Sequence, residues 1–578
     1  MAGASGDGDQ RLTRRRLLAR VGGMALATTP LGLAACTRRA PEAAGANPPP
    51  APVAGATPAA SLASATSGTS SASGSAASGP PRRGGTLTTA VQSDWITFDP
   101  ICNSANGTSS FMVYDPLFFF QPDATGTWRV APGLIETWDF GDTAATWQLR
   151  KGVTFHDGSP WNADTLKWNI ERMLSDPKSL ASSVLTSLDP KNPVMVVDPY
   201  TARINLTGPA PSLVEQLSNG GDSGQYTFPI SPTAFQKFGP EQYARNPVGT
   251  GPFQFVEWKP SDRVVLKRNE SYWMTGADGK ALPYLDGVVY RLIIDDSVRS
   301  IELTSHNIDF ADLVAPKDVA AIQADSQLAL IEGKWVGNSR RLIFHARGGP
   351  FSDNLALRQA VLYSIDRETL ASTLGQGRGD PSKFLLLPGA LGYDDSLPHY
   401  AFDLDRARSL MSDAGYPGGL DVSFIIIARE IDKVQAEVLK QMWAKIGIRA
   451  SIEAVERAAL NQRILSGGAD YQVTSGQYGN YAGDADVQLR RYLHSKGGFN
   501  KSHLSNPEMD ALLDKASGTY DVNARVATYH DAQKLDFSLG YYGYLWTQWY
   551  NWAMNKRVAG FPKVIGGSWD FRGVWLTS

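Results

Sequence analysis

The chain has 578 residues, a formal net charge of −2 and only two cysteines, Cys36 and Cys102. A near-neutral, slightly acidic chain lacks the basic footprint that binding to nucleic acid requires. Two cysteines exclude a disulfide framework or a cysteine-built metal centre, and the seven histidines are scattered rather than clustered.

The first elements are targeting elements. Arg11, Arg14, Arg15, Arg16 and Arg20 precede an apolar stretch over 21–35 that ends in "LGLAAC" (31–36). Charged region, apolar region and small-residue processing site follow in the order of an export signal. The apolar stretch is shorter than the ~20 residues that span a bilayer core. The paired arginines resemble a twin-arginine signal, and Leu33-Ala34-Ala35-Cys36 resembles a bacterial lipobox. That resemblance implies lipidation at Cys36 and a membrane-anchored, exported protein facing the periplasm or the extracellular side. Residues 36–83 then supply the lipid-bearing Cys and an Ala/Ser/Gly/Pro tether. Such a composition buries too little apolar surface to offset its ordering entropy. Its flexible reach is on the order of 40 Å. Residues 1–35 and 37–83 each carry a net charge of +3, so the remaining body is more acidic than the whole chain.

The body, 84–578, is long enough for two or three domains and holds all 15 tryptophans. "GGTLTTAV", "RVVLKRN" and "GVVYRLII" predict strands. Asn162 predicts the cap of a helix whose apolar face is Leu166, Ile170, Met173 and Leu174. A second helix begins at Asp403 or Asp405 and stops at Gly415. A third is amphipathic through Val434, Val438, Leu439 and Met442 and ends at Gly447. The strand "IRASIEAV" follows, with Ile448, Ala450, Ile452 and Ala454 on one face. Helix, glycine, strand is the joint of an open α/β sheet. No repeat with a period of 20–50 residues is present. His156 falls in an Asp-Gly turn, and Gly249-Thr250-Gly251-Pro252 is a tight passage without the Lys-Ser/Thr of a phosphate loop.

Seven segments in order resemble the family 5 extracellular solute-binding proteins, the peptide and nickel receptors of ABC importers. They are "GGTLTTAVQSDWITFDP", "APGLIETWDF" with "TWQLRKGVTFHDGSPWNADTLKWNIER", "NPVGTGPFQFVEWKPSDRVVLKRNESYW", "IELTSHNIDF", "ALRQAVLYSIDRETL", "RARSLMSDAGYP" and "LSNPEMDALLDKA". The resemblance implies an α/β fold, periplasmic-binding-protein-like type II, with two lobes around a cleft, an extra domain and discontinuous chain crossings. Lobe I would comprise 84–118, 231–340 and 541–578, the extra domain 119–230, and lobe III 341–540. It also implies a non-catalytic monomer, without cofactor or metal, that hands its ligand to a permease and an ATPase.

In peptide receptors of this family an Asp of lobe III pairs with the ligand's α-amino group. The matching stretch here, "QYGNYAGDADVQL" (477–489), puts neutral Asn480 or Tyr481 at that position, with Asp484 next along the chain. Trp95, Tyr478, Asn480, Tyr481 and Asp484 are therefore the expected ligand contacts. Peptide is the family default. A neutral clamp with aromatic neighbours also suits a sugar-like or other uncharged solute, and a chelated metal or a sensing role without import stays open. An enzyme is disfavoured: Gly221-Asp222-Ser223-Gly224 resembles a protease nucleophile segment, but no matching histidine segment or disulfide accompanies it.

Overall fold

In the computed structural model the described residues are 80–577, apart from 103–111, 123–127, 184, 220–223, 335–338, 466–470, 480–482 and 562–568. Cys36, Asn480, Tyr481 and the 221–223 part of the protease-like segment thus lie outside the described residues.

Local signals form the elements they predict. Asn162 caps the helix Ala163–Ser175 in a capping box with Thr165, and Leu166, Ile170 and Met173 are buried. Asp403, rather than Asp405, caps Leu404–Asp413, accepting from the Arg406 amide. Gly447, with φ of 86°, turns the chain from the helix Glu430–Ala444 into the strand Ile448–Val455. Two expected faces shift. On Glu430–Ala444 the buried residues are Asp432, Gln435, Ala436, Leu439, Met442 and Trp443, and Val434 is exposed. The inward face is partly polar: Asp432 pairs with Arg340, and Gln435 Oε1 accepts from Trp546 Nε1 at 2.9 Å. On Ile448–Val455, Ile448 and Ala450 are buried but Ala454 is exposed. This strand is the edge of its sheet, and at its far end Val455 rather than Ala454 packs inward, against the cluster of Ile425, Leu460, Ile464 and Tyr471.

Three sheets organise the body. Seven strands from 86–91, 253–292, 310–311, 328–333 and 550–555 make the first. Its strands Thr86–Val91, Gly287–Leu292 and Phe310–Ala311 are parallel. Six strands make the second, in which Leu420–Ile427 pairs in parallel with Ile448–Val455 and Val473–Tyr478. Four antiparallel strands within 135–205 make the third, and the helix Ala163–Ser175 contributes to its core. The dense aromatic run near the C-terminus divides between two sheets. Tyr542–Gln548 pairs with Ser339–Phe344 in the second, and Tyr550–Asn555 pairs with Leu328–Gly333 in the first. Ser339, Arg340 and 542–548, expected in lobe I, thus pair within the second sheet. Trp546 and Trp552 are core residues, one in each sheet.

The Gly249–Gly251 passage has a packing reason. A Cβ on Gly249 would stand 2.2 Å from the Val113 carbonyl oxygen, and one on Gly251 2.6 Å from the Val113 carbonyl carbon. His156 closes this joint, its amide donating to Gly249 O at 2.8 Å and its Nε2 lying 2.9 Å from Gly251 O. Burial pushes the imidazole down to about 4, which keeps it neutral at pH 7. Nearby, Asp115 accepts from Thr250 Oγ1, the Tyr272 hydroxyl and Trp273 Nε1 at 3.1, 2.7 and 2.8 Å, knitting three segments of lobe I. Cys102 is half-buried, and its thiol is pushed up to about 11 by burial, so it is not a reactive thiolate.

Candidate functional site

In an open α/β sheet the ligand crevice lies outside the carboxyl ends of the parallel strands, where backbone groups and loops are free to meet it. The pairing pattern places those ends for both large sheets. Leu328–Gly333 runs parallel to Thr86–Val91, because both neighbour the antiparallel chain of Tyr550–Asn555 and Phe310–Ala311. Gly333 and Tyr550 therefore sit at the carboxyl end of the first sheet. In the second sheet Ser339 pairs with Tyr478 and Thr547, at the carboxyl end of Val473–Tyr478. The two connections, 333 to 339 and 548 to 550, thus join the sheets through their carboxyl ends. The two crossings flank the place where the crevice of such a sheet lies.

Polar contacts brace the crossings. Arg378 pairs with Glu332 and reaches Asn551 Oδ1 at 3.5 Å, which links lobe III to the first sheet. The Trp549 indole N–H donates to Asp380, and Lys334 Nζ lies 4.3 Å from the Trp549 ring centroid. On the lobe I rim, Arg299 is fully buried and donates to the carbonyls of Ile293, Ile294, Asp312 and Leu313 at 2.6, 2.9, 3.1 and 3.2 Å. It ties together the ends of two parallel strands and leaves Ile294 69% exposed beside Asp295, Asp296 and Lys317.

The structure separates the expected contacts. Trp95 is 4% exposed, stacked on Phe98 at 6.4 Å and edge-on to Tyr290 at 6.3 Å. It belongs to the aromatic core around the first sheet; its neighbour Ile96 is exposed. Tyr478 is also interior: its hydroxyl donates to Phe384 O at 3.2 Å and its ring contacts Tyr492 and Tyr544. Asp484 is the N-cap of Ala485–Leu493, accepting from the Asp486 amide at 3.0 Å. It is 3% exposed, its Oδ2 accepts from Arg525 Nε and Nη2 at 2.9 and 2.8 Å, and its Oδ1 accepts from the Tyr529 hydroxyl. Asp484 is thus held by its own helix, by Arg525 and by Tyr529. The carboxylate pattern that drew the expectation was a helix-capping signal.

A contact that sequence reasoning missed joins the 119–230 segment to lobe III. Ser212 Oγ donates to Asp486 Oδ2 at 3.1 Å, Tyr520 OH donates to Gly141 O at 3.1 Å, and the Glu215 carboxylate accepts from the Asp484 amide. Burial, reinforced by the Asp484 charge, pushes Glu215 up to about 8, against the weaker pull of Arg525. Asp486 is also raised, by burial first. A Glu held protonated in the fold but ionised when unfolded binds more protons in the native state between its ordinary pKa of 4.5 and about 8. Stability from this group is therefore full below 4.5 and falls as pH rises toward 8. Glu215→Gln should flatten that fall, raising the melting temperature by a few degrees at pH 8 relative to wild type. Thermal unfolding at pH 5 and pH 8 tests it; an unchanged pH slope would remove Glu215 from the account.

These observations meet in comparisons with known proteins. The profile described as "Bacterial extracellular solute-binding proteins, family 5 Middle" matches residues 129–500. The chain belongs to family 5 of the bacterial extracellular solute-binding proteins. Among its family 5 relatives, heme-binding protein A of Haemophilus influenzae is 30% identical over 452 residues, covering 74% of this chain and 80% of that one. The glutathione-binding protein GsiB of Salmonella typhimurium is 28% identical over 513 residues, covering 86% and 94%. The structure of HbpA2 from Haemophilus parasuis matches with a TM-score of 0.71 at 25% identity, over 86% of this chain and 100% of that one. DppA from Helicobacter pylori, solved with the peptide STSA, matches with a TM-score of 0.73 at 24% identity, over 86% and 99%. The fold is thus the type II periplasmic-binding-protein fold of these family 5 receptors, and the sheets, crossings and crevice described above are its parts.

Proposed function

We propose that this family 5 protein is the non-catalytic, lipid-anchored receptor of an ABC importer. It binds a peptide or similar small organic solute as its lobes close, and delivers it as a monomer to a membrane permease driven by an ATPase. The observation that carries this reading is the meeting of two parallel-sheet carboxyl ends at a double crossing, the geometry of a hinged cleft. Closure around such a hinge buries a ligand and reports occupancy to the importer. No helix among the described residues is long and apolar enough to cross a membrane; the lipobox-like Leu33-Ala34-Ala35-Cys36 is what supports attachment through a lipid on Cys36. Asn480 and Tyr481 are the ligand contacts we propose. Their neutrality favours, as a second reading, a sugar-like solute lacking an α-amino group.

Mass spectrometry of small molecules released by denaturing the purified protein tests both readings. A co-purified peptide or peptide-like compound is the expected result. A sugar would transfer the site to the second reading. Chemical turnover of the bound compound would overturn the receptor assignment.

A further inference from the structure

The 119–230 segment meets its two neighbours in different ways. Toward lobe I it shares an apolar core: Ile135, Trp147, Leu166 and Leu213 pack in one cluster with Ile101 and Leu117, and Val248 and Trp273 lie against it. Toward lobe III it shares none. Among the described residues no apolar cluster holds side chains of both 119–230 and 341–540. A shared apolar core moves as one body, whereas a polar boundary between bodies separates at small cost.

What joins the segment to lobe III is polar and specific. The Tyr520 hydroxyl bridges two backbone groups of 119–230: it donates to Gly141 O at 3.1 Å and accepts from the Ala210 amide at 3.3 Å. Its ring lies 6.3 Å from that of Phe140. Ser212 stands at the N-cap position of the helix Leu213–Gln216 but makes no side-chain cap bond there. Its hydroxyl donates instead across the boundary, to Asp486 Oδ2 at 3.1 Å. The lobe III side is braced. Arg525 Nη1 donates to Thr519 O and Tyr520 O at 2.8 and 3.2 Å, and the same guanidinium pairs with Asp484. Asp486 is also held by Arg490 Nε and by Ser517 Oγ, each at 3.4 Å. Asp484 and Asp486 both belong to the start of the helix Ala485–Leu493, so the two bridging contacts rest on one support.

We propose that Tyr520 and Ser212 form a latch by which the 119–230 segment, moving as one body with lobe I, holds lobe III in the closed receptor. This rests on the receptor reading above and adds to it a closing contact besides the crossings at 333–339 and 548–550. The crossings set the path of closure. The latch biases its equilibrium, because its bonds form only when the two bodies meet. Each such bond contributes little net free energy, since water replaces it on opening. A few of them therefore favour the closed state without locking it, and the receptor can still open to release its solute.

The test measures the distance between the two bodies. Nitroxide labels are placed at two exposed positions, Lys191→Cys in the 119–230 segment and Lys515→Cys in lobe III, in the full chain with Cys36 and Cys102 replaced by serine. Pulsed electron paramagnetic resonance then reads the distance distribution with no solute added. Tyr520→Phe keeps the ring beside Phe140 but removes both hydroxyl bonds. It should lower the ratio of short-distance to long-distance molecules roughly tenfold. Adding Ser212→Ala should lower the ratio further, and it leaves Asp486 with Arg490 and Ser517, so no buried charge is stranded. Far-UV circular dichroism should be unchanged in both variants. A distribution that both substitutions leave as it was would overturn the proposal. If it stays short, the contact is a fixed part of the fold; if it stays long, the contact is not made in solution. Loss of the folded signal in both variants would also overturn it, assigning these bonds to stability instead of closure. None of these outcomes depends on whether a solute co-purifies, so failure of the latch is separable from failure of the receptor reading.

Discussion

Asp484→Ala should destabilise the protein by about 3–5 kcal/mol, the cost of stranding one member of a buried ion pair. The side chain does three jobs. It caps the helix Ala485–Leu493, it pairs with Arg525, and it accepts from the Tyr529 hydroxyl. Cap loss alone accounts for about 1 kcal/mol. The larger part is Arg525, 6% exposed, which would keep its bonds to Thr519 O and Tyr520 O but lose its only carboxylate among the described residues. Asp484→Asn should cost less, because an amide oxygen can still cap the helix and accept from Tyr529. Urea unfolding of both variants checks the order. If Asp484→Asn left stability unchanged while abolishing solute binding, Asp484 would be a ligand clamp after all, and the structural assignment would fall.

Cys36→Ser should move the protein wholly from the membrane to the soluble fraction. Two acyl chains on one residue supply the anchoring that a single chain cannot, at ~0.8 kcal/mol per buried methylene. Serine offers no thiol for that transfer. The tether of 37–83 would still be present but would have nothing at its end. Fractionation of cells expressing the wild type and the variant reads the result directly. Persistent membrane association of the variant would overturn the lipid reading and point to the uncleaved apolar segment as the anchor.

Much of the fold was legible in the sequence wherever the signal was local. Asn162, Asp403 and Gly447 each act within four residues of themselves, so capping and turn chemistry identify them without knowledge of the rest. The family segments carried the architecture for the same reason: their order along the chain is preserved in the fold. The site was less legible. Trp95 was placed on the cleft because of its loop, but its burial depends on Phe98, Tyr290 and the aromatic cluster around them. Asp484 was read as a free acid because Arg525 and Tyr529 lie 41 and 45 residues away. The doubled arginine in "SRRLIF" could not be read from the sequence: Arg340 meets Asp432, 92 residues on, while Arg341 lies against the rings of Tyr492 and Tyr542.

The sequence by itself determined the α/β class, the helix caps and the family. Those depend on spacing, composition and short-range hydrogen bonds, which are properties of a contiguous stretch. Only the tertiary structure decided which sheet each half of the aromatic run joins and which acids and tryptophans are buried. Those depend on partners brought together from distant parts of the chain, and burial strengthens or penalises each charge according to the partner it meets there.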